Sequence, residues 1–127
     1  MVKAKKKKAT TKKPIDNLDR VFHEKARLSI LTFVVAENDG IHFNELKENC
    51  DLTDGNLNRH LKVLLDAKIL RVRKTGRGRA TKSVYFLTSF GRGAFEEYLD
   101  ALEQVVRAAQ AAAQRTDAQN DVIVAPE

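Results

Sequence analysis

LTDGNLNRHLKVLLDAKILRVRKTGRGRATKSVYFLTSFGR, residues 52–92, holds a capped helix and two short strands joined by a Gly/Arg-rich loop. Thr53 is a good N-cap, and it predicts a helix over 54–67. On a helical wheel Leu57, Leu61, Leu64 and Leu65 share one face, which must turn to a core. The opposite face carries Gly55, Asn56, Arg59, Lys62, Val63 and Asp66, with Asn58 and His60 flanking it. A strand over 69–75 follows. Two glycines in Gly76-Arg77-Gly78-Arg79 permit a turn, and Ser83–Leu87 reads as the returning strand. Between Gly55 and Lys82 stand nine Lys/Arg against the single acid Asp66, a net +8.

A helix followed by a basic hairpin suits a groove-reading unit on duplex DNA. One element enters the major groove, and the other grips phosphate beside it. In the N-terminal half of the helix, Asn56 has the donor and acceptor for adenine, and Arg59 has the fork for guanine. Gly55 costs about 1 kcal/mol of helix propensity relative to Ala, and close approach to a partner is one reason to accept that. The other is that first-turn positions are forgiving. Lys62, further along, is placed for phosphate. Arg77-Gly78-Arg79 is similar to Gly-Arg segments that enter minor grooves; the plainer reading is a hairpin loop carrying solubilising charge.

Upstream, Asp16 to Glu37 reads as one helix, with Asp16 as its cap and Asn38-Asp39-Gly40 as its stop. Its apolar face is wide enough to be central to the core. Ile41-His42-Phe43 forms one short strand. Asn44 then caps a short helix over 45–50, with Leu46 inward. Together with the helix at 54–67 this makes a helix-turn-helix candidate. Downstream, Thr88 caps a long helix that runs to about Arg115. In it Phe95, Leu99, Leu102, Val106, Ala109 and Ala113 are spaced 4, 3, 4, 3, 4, a heptad seam. Such a helix on so small a domain predicts pairing with a second copy.

The chain of 127 residues has a formal charge of +6, and its distribution matters more than its total. Residues 1–13 hold seven Lys and no acid, a basic arm expected to be disordered. Residues 14–54 and 83–127 are net acidic, so the +8 strip is a local device. A polyanion partner explains that clustering better than solubility does. Residues 14–115 read as one domain, its dimerisation helix at about 89–115, and 116–127 as a flexible tail. Cys50 alone allows no intrachain disulfide, and with no membrane span the chain reads as cytoplasmic. His23, His42, His60 and Cys50 do not pair at metal-ligand spacing, so no metal or other cofactor is expected. Neither a nucleophile motif nor a phosphate-cradling loop is present, and an enzyme is not expected.

With these residues in hand, the chain resembles winged-helix regulators of the MarR/ArsR type. Phe43 to Leu70 is similar to the family's helix-turn-helix, with Asn58-Arg59-His60-Leu61-Lys62-Val63-Leu64 standing at its His-Leu motif. Arg71 to Thr88 resembles the wing, and Leu87 to Leu102 resembles the step into the dimer helix. The resemblance covers about residues 16–110. It implies an α+β, mainly α fold with a two-stranded wing, and a homodimeric repressor on palindromic double-stranded DNA. Carried over, Thr53, Asn56, Asn58, Arg59 and Lys62 are the helix contacts, with Gly55 beside them. Lys74, Arg77, Arg79 and Lys82 are the wing contacts. Phe95, Leu99, Leu102, Val106 and Ala109 form the dimer seam. By analogy a small-molecule effector binds between the dimer helices and the winged domain. The paired cysteines of ArsR-type metal sensors are missing, which removes a thiol-pair switch. Two other readings stay open: a non-specific DNA-organising protein led by the Lys arm, and a winged-helix protein-interaction module.

Overall fold

The computed structural model describes residues 18–124, and side chains up to residue 117. The Lys arm, the Asp16 cap and residues 125–127 lie outside that range. Residues 18–22 are helical, residues 23–24 break that helix, and α1 follows at Lys25–Val35. The single helix expected over 16–37 is therefore in two pieces. The cause is Glu24, an N-cap with extended backbone whose carboxylate accepts the Arg27 N–H at 3.1 Å. The first N–H groups of a helix have no partner within it, so an acceptor there starts a new helix without Gly or Pro. Burial alone would push the Glu24 carboxyl up. The Arg27 and Ala26 N–H groups, with His60 and Arg27 nearby, hold it below its ordinary value.

Next come β1 (Ile41–His42), α2 (Phe43–Cys50), α3 (Asp54–Asp66), β2 (Leu70–Thr75), β3 (Lys82–Leu87) and α4 (Ser89–Val124). The cap expected for α2 is Asn44. The helix instead starts one residue before it, with His42 as N-cap and the Glu45 carboxylate accepting the His42 N–H at 3.0 Å. Both turns around the helix-turn-helix close on left-handed residues that are not glycine, Asp51 at φ 54° and Lys68 at φ 64°. The Lys68 and Ile69 N–H groups return to the Leu65 and Leu64 carbonyls, satisfying the end of α3.

The sheet has three antiparallel strands in the order β1-β3-β2, so the expected hairpin gains a short strand. Ile41 pairs with Tyr85 and His42 with Val84, while β2 pairs with β3 from Leu70–Leu87 to Thr75–Lys82. Gly40 enters β1 at φ +92°. A Cβ there would sit 2.5 Å from Val84 and 2.7 Å from Phe86, so only glycine fits.

The chain divides into two compact units, the first ending at Phe95 and the second beginning at Glu96. The core of the first is built from Phe22, Ile30, Leu31, Val34, Ile41, Leu46, Leu57, Leu61, Leu64, Ile69, Leu70 and Phe95, closed by β3. Leu65, expected in this core, is only half-buried; three leucines and His60 already fill the inward face of α3. Thr88 caps α4 as expected, its Oγ1 accepting the Gly91 N–H at 2.8 Å. The helix does not end near Arg115 but continues to Val124. The segment between has no Gly or Pro to stop it.

Candidate nucleic-acid interface

Thr53 sets the start of α3: its Oγ1 accepts the Asn56 N–H at 3.2 Å, and its carbonyl accepts that of Leu57 at 2.9 Å. The cap fixes the helical phase, and the phase divides the side chains. Leu57, His60, Leu61 and Leu64 are buried. Thr53, Gly55, Asn56, Asn58, Arg59 and Lys62 are all exposed. The side chains of Asn56, Asn58 and Arg59 have no hydrogen-bond or ion-pair partner among the described residues, so their donors and acceptors face outward. Lys62 is different, because Asp66 lies one turn on with its carboxylate 3.6 Å from the ammonium. Asp54, the acid of the first turn, is taken by Lys47 of α2 at 2.8 Å. Its charge therefore does not stand unopposed on the reading face.

A Cβ added at Gly55 meets nothing within 4 Å, and its backbone needs no left-handed φ. Packing among the described residues therefore gives no reason for glycine here. The only surface its missing side chain serves is the outer one.

His60 is 4% exposed and belongs to the core. That burial makes it a structural residue rather than an outward-facing one. Its Nδ1 lies 3.1 Å from Arg27 Nη1. Cys50 is half-buried beneath Ser29, whose hydroxyl donates to Sγ at 3.6 Å, and burial pushes the thiol up from its ordinary value. A raised thiol is a poor thiolate, against a redox-sensing role.

The hairpin carries its charge on an exposed surface. Lys74 and Lys82 flank its end, and Arg77 and Arg79 lie in the loop between the strands, all four exposed. Gly76 at φ +86° makes the turn; a Cβ there would sit 2.3 Å from the Ala80 carbonyl oxygen. A short 3-10 turn, Gly78–Ala80, completes the loop. Two cations outside the expected set join them. Arg71 and Arg73 place their guanidiniums 4.3 and 4.9 Å from the centre of the Phe86 ring. The signal is strand alternation: Arg71 lies opposite Phe86 and Arg73 opposite Val84, so both arginines share that face. Neither has an ion-pair partner among the described residues.

Of the expected dimer seam, Phe95 belongs elsewhere. It is 3% exposed, with its ring 5.6 Å from that of Phe22 in the first unit. Heptad spacing marks an apolar stripe without saying what covers each position. In the second unit Leu99 is 41%, Val105 62% and Val106 43% exposed. Leu102 is half-buried and Ala109 exposed.

These elements, a helix-turn-helix followed by a basic hairpin, match the family model of the winged helix DNA-binding domain over residues 26–106. The chain belongs to that family. The winged helix is also 33% identical over 86 residues to an uncharacterized protein of Methanocaldococcus jannaschii, covering 68% of this chain and 92% of that one. Among solved structures, the fold is similar to a transcriptional regulator homologue from Pyrococcus horikoshii. The TM-score is 0.65 and the identity 24%, over 71% of this chain and 88% of that one. It is also similar to MepR of S. aureus, solved as a DNA complex, with TM-score 0.60 and 16% identity over 96% and 99% of the chains. MosR of M. tuberculosis, likewise in complex with DNA, matches with TM-score 0.59 and 18% identity over 94% and 89%. These three establish the winged-helix fold. Among the described residues no helix is long and apolar enough to cross a membrane, and no cluster of three His, Cys, Asp or Glu is placed to hold a metal.

Proposed function

We propose that this winged helix is a sequence-specific double-stranded DNA-binding protein acting as a homodimeric transcriptional repressor. The observation that carries the reading is the unpaired outer face of α3. Asn56, Asn58 and Arg59 present base-reading groups there, on a helix held from behind by four buried side chains. The Lys74, Arg77, Arg79 and Lys82 hairpin supplies phosphate or minor-groove contacts, and Arg71 and Arg73 add charge at its root. DNA complexes of MepR and MosR support the same assignment, since those proteins bind DNA with this fold. Repression needs only occupancy of an operator, which such an interface supplies unaided.

Self-association rests on Leu99, Val105 and Val106, exposed apolar side chains on a helix whose far end is rich in alanine. A dimer places two α3 helices on half-sites about one helical turn apart. Selection from random duplex, with sizing of the complex, tests both claims together. The expected result is a palindromic preferred site bound by two chains, with affinity falling steeply as salt rises. Equal affinity for the selected site and random duplex at matched salt would sink the sequence-specific reading.

A further inference from the structure

α3 is joined to α1 by one polar contact inside an apolar layer, and that contact has a required protonation state. Arg27 Nη1 lies 3.1 Å from His60 Nδ1. A guanidinium has only donors, so Nδ1 must accept, and the imidazole must be neutral with its proton on Nε2. The same guanidinium donates from Nε to the Val21 carbonyl at 2.6 Å and from Nη2 to the Arg20 carbonyl at 3.3 Å. Arg27 thus ties residues 18–22, α1 and α3 together at one point. His60 follows Arg59 directly in sequence and lies one helical turn from Asn56.

We propose that His60 is a positioning residue for DNA reading: its neutral ring, held by Arg27, sets the pose of α3 that brings Asn56 and Arg59 to base edges. This inference rests on the DNA-reading assignment above. Protonation would place two donors face to face, a cationic imidazole against a guanidinium, and release the contact. The charged groups acting on the ring are Glu24 and Arg27 of α1 and Arg59 of α3. Glu24 favours the cation, and the two arginines oppose it. Among the described residues none from α2 or the sheet contributes. Burial, together with Arg59 and Arg27, lowers His60 below its ordinary value.

The sign follows from that lowering. The unfolded or loosened state takes up the proton more readily than the folded one, so the contact holds above the ordinary histidine value of about 6.5. It is lost as pH falls below that, through the depressed folded value. Acidification ordinarily strengthens binding to a polyanion by adding positive charge. A fall in specific affinity on acidification is therefore a distinctive outcome.

The test measures affinity for the selected duplex and for random duplex from pH 7.5 to 5.5, with far-UV circular dichroism at each pH as a check on folding. The wild-type preference for the selected duplex should fall by about tenfold across that range, as expected for loss of one part-buried hydrogen bond to a charged group. His60→Asn keeps an acceptor near Nδ1 and cannot titrate; it should bind at neutral pH and show a flat profile. Arg27→Gln, at a half-exposed site, should lower the preference at neutral pH with random-duplex affinity little changed. An Asn variant that keeps the wild-type pH profile overturns the proposal, as does an Arg27→Gln protein with unaltered preference. If the wild-type chain prefers no duplex at all, the DNA-reading assignment itself falls, and this inference with it.

Discussion

α3 sets Arg59 and Lys62 against Asp54 and Asp66 while the hairpin carries six Lys/Arg and no acid, and the two elements are held in opposite ways. α3 buries four of its thirteen residues and is pinned at its start by Thr53 and from behind by Arg27. The hairpin is buried only at its root, by Leu70 on β2 and Val84, Tyr85 and Phe86 on β3, and every residue from Arg71 to Lys82 is exposed. A side chain on α3 therefore has a fixed origin from which to meet a base edge. A side chain at the hairpin end has charge and reach without a fixed frame. Base discrimination needs donors placed to a fraction of an ångström, whereas phosphate attraction tolerates misplacement. Under the proposed function, the contrast suits α3 to reading and the hairpin to gripping.

The largest expected effect breaks the frame itself. Leu61→Ala should lower unfolding free energy by about 2–5 kcal/mol, because Leu61 is fully buried in the core. Denaturant titration measures it, and a loss below about 1 kcal/mol would mean that α3 is not held as described. Next, Arg59→Ala should weaken the preferred site by about 1–3 kcal/mol and relax base choice at one position. Unchanged selectivity in a repeat of the random-duplex selection would remove Arg59 from the reading set.

Smaller changes sharpen the contrast. Arg79→Ala should weaken all duplexes alike and reduce the salt slope by about 1, without altering the selected site. A shift in preferred sequence would make the hairpin a reader as well. Gly55→Ala should raise stability by up to about 1 kcal/mol, since a Cβ there meets nothing among the described residues. Its affinity for duplex should fall if α3 docks closely at that point. Equal affinity in both proteins would return Gly55 to a merely tolerated residue.

Local chemistry makes much of this legible from residue types and spacing. Thr53 and Thr88 are strong caps, and leucines at helical spacing set the phase of α3, so its exposed residues can be read one by one. The hairpin follows from Gly76 and Gly78 between two runs of strand formers. What stays hidden depends on which partner a side chain finds, near or far. Glu24 starts a helix only because its carboxylate finds Arg27, and nothing in a run of helix formers announces that. Phe95 fits a heptad seam as well as it fits the ring of Phe22, since spacing does not identify the neighbour. Arg71 and Arg73 gain their setting from strand register, which pairs β2 with Phe86 and Val84. His60 is polar by type and buried by circumstance, and only Arg27, thirty-three residues away, explains it.

One carbonyl at the root of the hairpin has a mechanical consequence. The Ile69 oxygen receives the Thr88 N–H at 3.0 Å and lies 3.1 Å from the Thr88 hydroxyl, whose shorter bond, 2.6 Å, goes to Lys68. A Cβ at Gly91 would stand 2.2 Å from that oxygen, so the first turn of α4 rests directly upon it. Where β2 departs and β3 returns, then, both strands are bolted to the same short piece of backbone that ends α3. The hairpin is a lever with its fulcrum at Ile69. A push at its tip is met at the root by the opening turn of α4.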